Sequence, residues 1–177
     1  QKNQPLLSII TAAYNAEKTL TETIQSVIGQ DYPNKEYIIV NDGSTDDTQA
    51  KLIHTYGFYR EVEGAQRNSS FLPFSPELYS STKYAHLFLL NKRNSGKADS
   101  LNQALRHLDC DIVVTVDADT LLERDAIFET QQTFIHDPNL VAACGVLTPV
   151  TKGSWSARLF GLFQYFEYLF HQHKYQF

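Results

Sequence analysis

Four short apolar runs, each followed by a polar turn and then by a stretch of helical period, constrain the fold of this chain most. The runs are Leu6–Ala13, Tyr37–Val40, His86–Leu90 and Asp111–Val116. Each is strand-length and nearly continuous in apolar residues, as suits a strand covered on both faces. The segments between them repeat apolar residues at three and four apart. Leu20, Ile24, Val27 and Ile28 do so within Glu17–Gln30, and Ala98, Leu101, Ala104, Leu105 and Leu108 within Lys97–Leu108. Thr45–His54 and Glu123–His136 complete the set. Strand and helix alternating four times predict βαβ units. The expected class is therefore α/β: a Rossmann-like, mostly parallel sheet with helices on both faces.

Two stretches fall outside that rhythm. Gly57–Lys83 holds Ser clusters, Pro73 and Pro76, with little periodicity, and reads as a long variable loop over about 57–84. Leu140–Val150 reads as a fifth strand. Aromatic residues then crowd Trp155–Phe177, where Leu159, Leu162, Phe163, Phe166, Leu169 and Phe170 suit an amphipathic helix. Such a helix either packs on the sheet or covers an acceptor or membrane face. The expected organisation is one domain over 1–150 and an aromatic-rich helix over 151–177.

Composition narrows the partners. The net charge is −5 and no Lys/Arg cluster occurs, which argues against nucleic acid. No apolar stretch has the length of a membrane span. Cys110 and Cys144 form no framework and read as free thiols of an intracellular protein. The chain has no Met, so a fragment, a processed product or omitted modified residues are expected.

In open parallel sheets ligands bind beyond the carboxyl ends of the strands, so the strand-to-helix junctions carry the chemistry. Asp117 and Asp119 stand two apart where an apolar strand meets solvent. In extended chain they share a face, and their repulsion is relieved by a hard divalent cation, Mg²⁺ or Mn²⁺. The alternative is a pair of solvated acids capping the next helix. Asp42, before Gly43, suits an acceptor for a base or ribose, or else a turn cap with Ser44. Tyr14 offers a flat face to a nucleobase, or else closes the core edge. Lys97, after Gly96 in a first helical turn, can place charge near a phosphate, or else is a surface lysine. The P-loop pattern fails, because Asn91 stands where its first Gly is required and Ala98 follows Lys97. No Gly-x-Ser-x-Gly elbow or Cys/His pairing points to a nucleophile, and His171 and His173 read as exposed tail residues.

The order of these signals is more specific than any one of them. Residues 8–15 (SIITAAYN), 37–48 (YIIVNDGSTDDT), 94–102 (NSGKADSLN) and 116–120 (VDADT) together resemble family 2 glycosyltransferases, over about residues 6–150. Within that family, residues 96–102 (GKADSLN) and the Gln164, Glu167, Tyr168 stretch are similar to the membrane polysaccharide synthases that make poly-N-acetylglucosamine, hyaluronan, chitin or cellulose.

The resemblance implies a GT-A fold and an inverting transfer from a UDP-sugar to a glycan or lipid acceptor. Single-sugar transfer and a non-catalytic nucleotide-sugar-binding module are the alternatives. It implies that Ala12, Tyr14 and Asp42 hold the uracil and that Lys97 lies beside the uridine or diphosphate. Asp117 would contact ribose or sugar phosphate, and Asp119 would ligate the cation. It also implies a cytoplasmic membrane face for the whole protein. The branch's Gln-x-x-Arg-Trp motif is missing, since Trp155 lies in residues 152–155 (KGSW), and no residue matches the expected catalytic base, which is expected beyond Phe177.

Overall fold

The computed structural model describes residues 4–61 and 76–148. The elements are β1 (Leu7–Ala13), α1 (Leu20–Ile28), β2 (Lys35–Asp42), α2 (Thr48–Tyr56), β3 (Phe58–Arg60), β4 (Glu77–Ser81), β5 (Leu87–Lys92), α3 (Lys97–Leu105), β6 (Ile112–Thr115) and α4 (Ala126–His136). They build one six-stranded sheet of order β3-β4-β5-β2-β1-β6. β5, β2, β1 and β6 run parallel, and β3 and β4 add an antiparallel edge.

Period-two alternation along the central strands makes two separate cores. Ile9, Ile39 and Leu89 point to the side that packs against Leu20, Ile24 and Val27 of α1, Leu52 and Tyr56 of α2, and Ile127 of α4. Ile10, Ile38, Val40 and Leu90 point to the other side, against Ala104 of α3. Helices therefore cover both faces. Each fully buried Ile, Leu or Val contributes about 1.5–3 kcal/mol, so these two layers are the main source of stability.

Three expectations change. The variable loop contains β3 and β4. Phe58 anchors this edge, buried against Tyr56 with ring centroids 6.2 Å apart, whereas every residue of β4 is half-buried. A short edge strand of that kind shows no clean alternation. The expected fifth strand is absent over 140–148, the described part of Leu140–Val150. That run finds no strand partner among the described residues, and Val141 is 93% exposed. The first two helices begin later than their periodicity suggests, because the turns before them are occupied by loop-to-loop hydrogen bonds.

The chain divides into two compact units at His136 and Asp137. The described part of the second opens with a turn, in which Leu140 N–H donates to the Asp137 carbonyl at 3.0 Å, and continues as irregular chain to residue 148. The aromatic-rich helix, His171 and His173, and the Gln164–Tyr168 stretch lie outside the described residues.

Candidate active site

The chain leaves β1 through Tyr14 and Asn15. Asn15 has a φ of 50°, in the left-handed region that Asn tolerates better than most residues. That twist turns its amide toward the loop after β2. Asn15 Oδ1 accepts from Thr45 N–H at 2.8 Å and Asp46 N–H at 3.3 Å, and Asn15 N–H donates to Ser44 Oγ at 3.0 Å. Next along the chain, Ala16 N–H donates to Thr48 Oγ1 at 3.0 Å. The first two strand-end loops are thus tied together before either helix begins.

Asp42 ends β2 on the α3 side of the sheet, two residues past Val40, and is 4% exposed. Its Oδ1 accepts from Ser95 N–H at 3.0 Å and from Lys92 Nζ, and its Oδ2 accepts from Gly96 N–H at 2.8 Å. Burial by itself would raise this carboxyl group. Hydrogen bonds from Lys92, Ser95 and Gly96, with the Lys92 charge, outweigh it and hold the pKa below the ordinary range. Ser44 is not its partner: the Ser44 N–H donates to Asn41 Oδ1 at 3.2 Å. Asp42 instead fixes the turn before α3.

That turn delivers Lys97 as the first residue of α3. Its ammonium group pairs with Asp117, just beyond β6, and both side chains are more than half exposed. The loop carrying Asp117 and Asp119 is held from below. Val116 N–H donates to the Ile10 carbonyl at 2.9 Å, and Thr23 Oγ1 of α1 donates to the Ala118 carbonyl at 3.0 Å. Among the described residues the Asp119 carboxylate is exposed and has neither hydrogen bond nor ion pair. α4 starts only at Ala126, so its first turn is not at these acids.

Ala12, Tyr14, Lys97, Asp117 and Asp119 line one open cleft of about 400 Å³, joined by Asn15, Ala16, Thr19 and Ala118. It lies at the ends of β1 and β6. There the chain order reverses, because β2 and β5 lie to one side of β1 and β6 to the other. This is the crevice where open α/β sheets bind ligands. Tyr14 is 52% exposed and belongs to the cleft wall, not to the core edge. Of the expected site residues only Asp42 does not line the cleft. It shares the α3 face with Ala12 and accepts hydrogen bonds from the Ser95–Gly96 turn.

The cleft is lined by one flat aromatic face, one cation and two carboxylates. Asp117 and Asp119 supply hard oxygen donors of the kind Mg²⁺ and Mn²⁺ take. No cluster of three or more His, Cys, Asp or Glu exists among the described residues. An ion held by two protein carboxylates would therefore need further ligands from a bound phosphate, which is how Mg²⁺ is commonly held.

Sequence reasoning missed Asn15 and Lys92 as organising residues. Lys92 was detectable by register: it follows Leu90 by two and so carries a charge on an inward-facing strand position. Asn15 acts through a backbone twist, for which a single Asn in a turn is a weak signal.

Residues 8–61 and 79–176 match the family described as Glycosyl transferase family 2. The chain is 32% identical over 139 residues to a poly-beta-1,6-N-acetyl-D-glucosamine synthase of Staphylococcus aureus, and equally to that of Staphylococcus epidermidis. Each match covers 78% of this chain and 28% of the relative, so the chain spans just over a quarter of the length of these curated relatives. Among solved structures, S. aureus TarS superposes with a TM-score of 0.55 at 22% identity, covering 84% of this chain and 24% of that one. The mannosyltransferase PcManGT from Pyrobaculum calidifontis, solved with GDP-Man and Mn²⁺, superposes with a TM-score of 0.56 at 25% identity. That match covers 78% of this chain and 34% of that one. The fold is that of the GT-A glycosyltransferases, and on the family match, which runs through both walls of the cleft, the chain belongs to glycosyltransferase family 2.

Proposed function

We propose that the chain is the donor-binding part of an inverting glycosyltransferase that moves a sugar from a UDP-sugar to a glycan or lipid acceptor in polysaccharide synthesis. The observation that carries this reading is the convergence of Tyr14, Lys97, Asp117 and Asp119 on one cleft at the reversal point of the sheet. Relatedness to the staphylococcal synthases supports N-acetylglucosamine as the sugar and polymer synthesis as the setting. PcManGT, a mannosyltransferase seen with a nucleotide sugar and Mn²⁺, supports a divalent cation here.

In this reading the base stacks on Tyr14 beside Ala12, and its imide N–H reaches Asp42. An ionised carboxylate has about four acceptor positions. Three are taken by Lys92, Ser95 and Gly96, so one on Oδ2 remains. Lys97 exchanges Asp117 for the diphosphate. Asp117 contacts ribose or sugar phosphate, and Asp119 and Asp117 hold Mg²⁺ or Mn²⁺. When bound, that ion would neutralise the charge that develops on the leaving diphosphate. The acceptor hydroxyl attacks the anomeric carbon, the bond to the diphosphate oxygen breaks, and configuration inverts. The base that takes the hydroxyl proton is assigned to no described residue, and its place is in the remainder of the whole protein. The same reading puts the whole protein at the cytoplasmic face of a membrane, although no helix among the described residues is long and apolar enough to cross one.

Calorimetric titration of the chain with UDP in Mn²⁺, in Mg²⁺ and in EDTA tests the reading. Binding with metal that is lost on chelation is expected. A folded chain with no affinity for UDP in either metal overturns it.

A further inference from the structure

Lys92 ends β5 with a charged group almost wholly buried, its side chain only 6% exposed. The ammonium group has three protons and four acceptors around it. They are Asp42 Oδ1, Asp99 Oδ2 at 3.0 Å, the Arg93 carbonyl at 2.9 Å and Ser95 Oγ. Ser95 Oγ in turn donates to Asp99 Oδ2. A buried ammonium group is costly unless it is paired, and here the buried Asp42 pairs with it on one side and the partly exposed Asp99 on the other.

The geometry has a consequence for the base, resting on the reading that Asp42 receives it. Oδ1 is saturated, by Lys92 on one side and the Ser95 N–H on the other, and Oδ2 has one position left beside the Gly96 N–H. A base with one ring N–H, such as uracil, fits a single acceptor. Guanine presents two adjacent donors, its ring N–H and its amino group, which pair with a carboxylate only when both oxygens are open. With Oδ1 occupied, the guanine amino group goes into the site without a partner, and an unpaired buried donor is strongly rejected.

We propose that Lys92 is a positioning residue that sets base specificity. By occupying Asp42 Oδ1 it leaves that carboxylate a single acceptor, and so selects a base with one ring N–H over guanine. Lys92 touches no part of the nucleotide and acts through Asp42.

The test is titration of the full chain with UDP, GDP and inosine diphosphate in Mn²⁺. Hypoxanthine is guanine without the amino group, so the wild-type chain should bind inosine diphosphate about fivefold or more tighter than GDP. Lys92→Met should lower the UDP-to-GDP affinity ratio about tenfold, because one position on Oδ1 opens. Lys92→Arg keeps the charge and the donors and should keep the ratio. A residue that only stabilised the fold would weaken both nucleotides alike and leave the ratio unchanged. UDP binding by the wild type with an unchanged ratio in folded Lys92→Met overturns the role of Lys92 alone. GDP binding as tightly as inosine diphosphate in the wild type overturns it also, without any variant. Loss of all UDP binding in the wild type overturns the donor-site reading, and this proposal with it.

Discussion

Lys97 at the start of α3 and Asp117 beyond β6 form an ion pair across the mouth of the cleft, with both side chains more than half exposed. An ion pair so exposed contributes little to folding, about 0–1 kcal/mol, because water screens it and ordering two side chains costs entropy. Its position matters more than its strength: on the proposed reading it parks a cation where a diphosphate would lie.

Lys97→Ala should therefore separate binding from stability. We expect the urea midpoint to shift by less than about 1 kcal/mol in free energy. UDP affinity should fall about 10- to 100-fold, the usual worth of a charge-assisted phosphate contact. Calorimetry and urea melts on the same sample check both. A large loss of stability with unchanged affinity would return Lys97 to an ordinary structural role.

Asp42 makes the opposite prediction. Its folded pKa is depressed by partners that outweigh its burial, below an unfolded value of about 3.9. A depressed carboxyl group contributes its full stabilisation above the unfolded value and loses it as pH falls through the folded one. Wild-type stability should thus decline as pH drops below about 4. Asp42→Asn should lie about 2 kcal/mol lower at pH 7, less than a fully broken buried pair because Lys92 keeps Asp99 and Ser95. Its acid limb should also be shallower. Urea melts from pH 7 to pH 3 read both, and an acid limb as steep in the variant would exclude Asp42 as its source.

The sequence made the central sheet legible because Ile9, Ile39 and Leu89 alternate with Ile10, Val40 and Leu90, and burial on both faces leaves continuous apolar runs. The cleft was legible because chemistry at strand ends needs particular residues at particular junctions, and Ala12, Tyr14, Lys97, Asp117 and Asp119 stand at them. What escaped depends on partners far along the chain. Glu77–Ser81 becomes a strand by pairing with Leu87–Lys92, and no local signal announces that. Leu140–Val150 has the local signal, but residues 140–148 form no strand. Asp42 reads as a turn residue until Ser95 and Gly96 are seen to close on it from more than fifty positions away.

The two acids of the cleft should respond unequally to substitution. Asp119 has no partner among the described residues, so Asp119→Asn leaves nothing unpaired and should change stability by less than about 0.5 kcal/mol. It should nevertheless weaken Mn²⁺-dependent UDP binding at least about tenfold, because on the proposed reading one of two protein ligands is lost. Asp117→Asn frees Lys97 as well as removing a proposed ligand, so on the same reading part of its loss should be recovered by a stronger Lys97–phosphate attraction. Comparing UDP affinity at several Mn²⁺ concentrations distinguishes them. Equal losses for the two variants would contradict unequal roles.

Gly43 links the two halves of the site. It sits at a φ of 66°, and a Cβ built there would lie 2.6 Å from the Asn94 backbone nitrogen. The loop after β2 thus lies directly on the turn before α3, with room for hydrogen only. Gly43→Ala carries two costs: a left-handed conformation that Ala adopts at about 1 kcal/mol, and a clash with backbone that has no rotamer to escape into. Relief requires Asn94 to retreat, which pulls Ser95 and Gly96 from Asp42 and moves Lys97 with them. The expected result is a loss of about 2–3 kcal/mol in stability, with UDP affinity reduced in the fraction that stays folded. A Gly43→Ala chain as stable as wild type, with full UDP affinity, would show that this contact does not position the site.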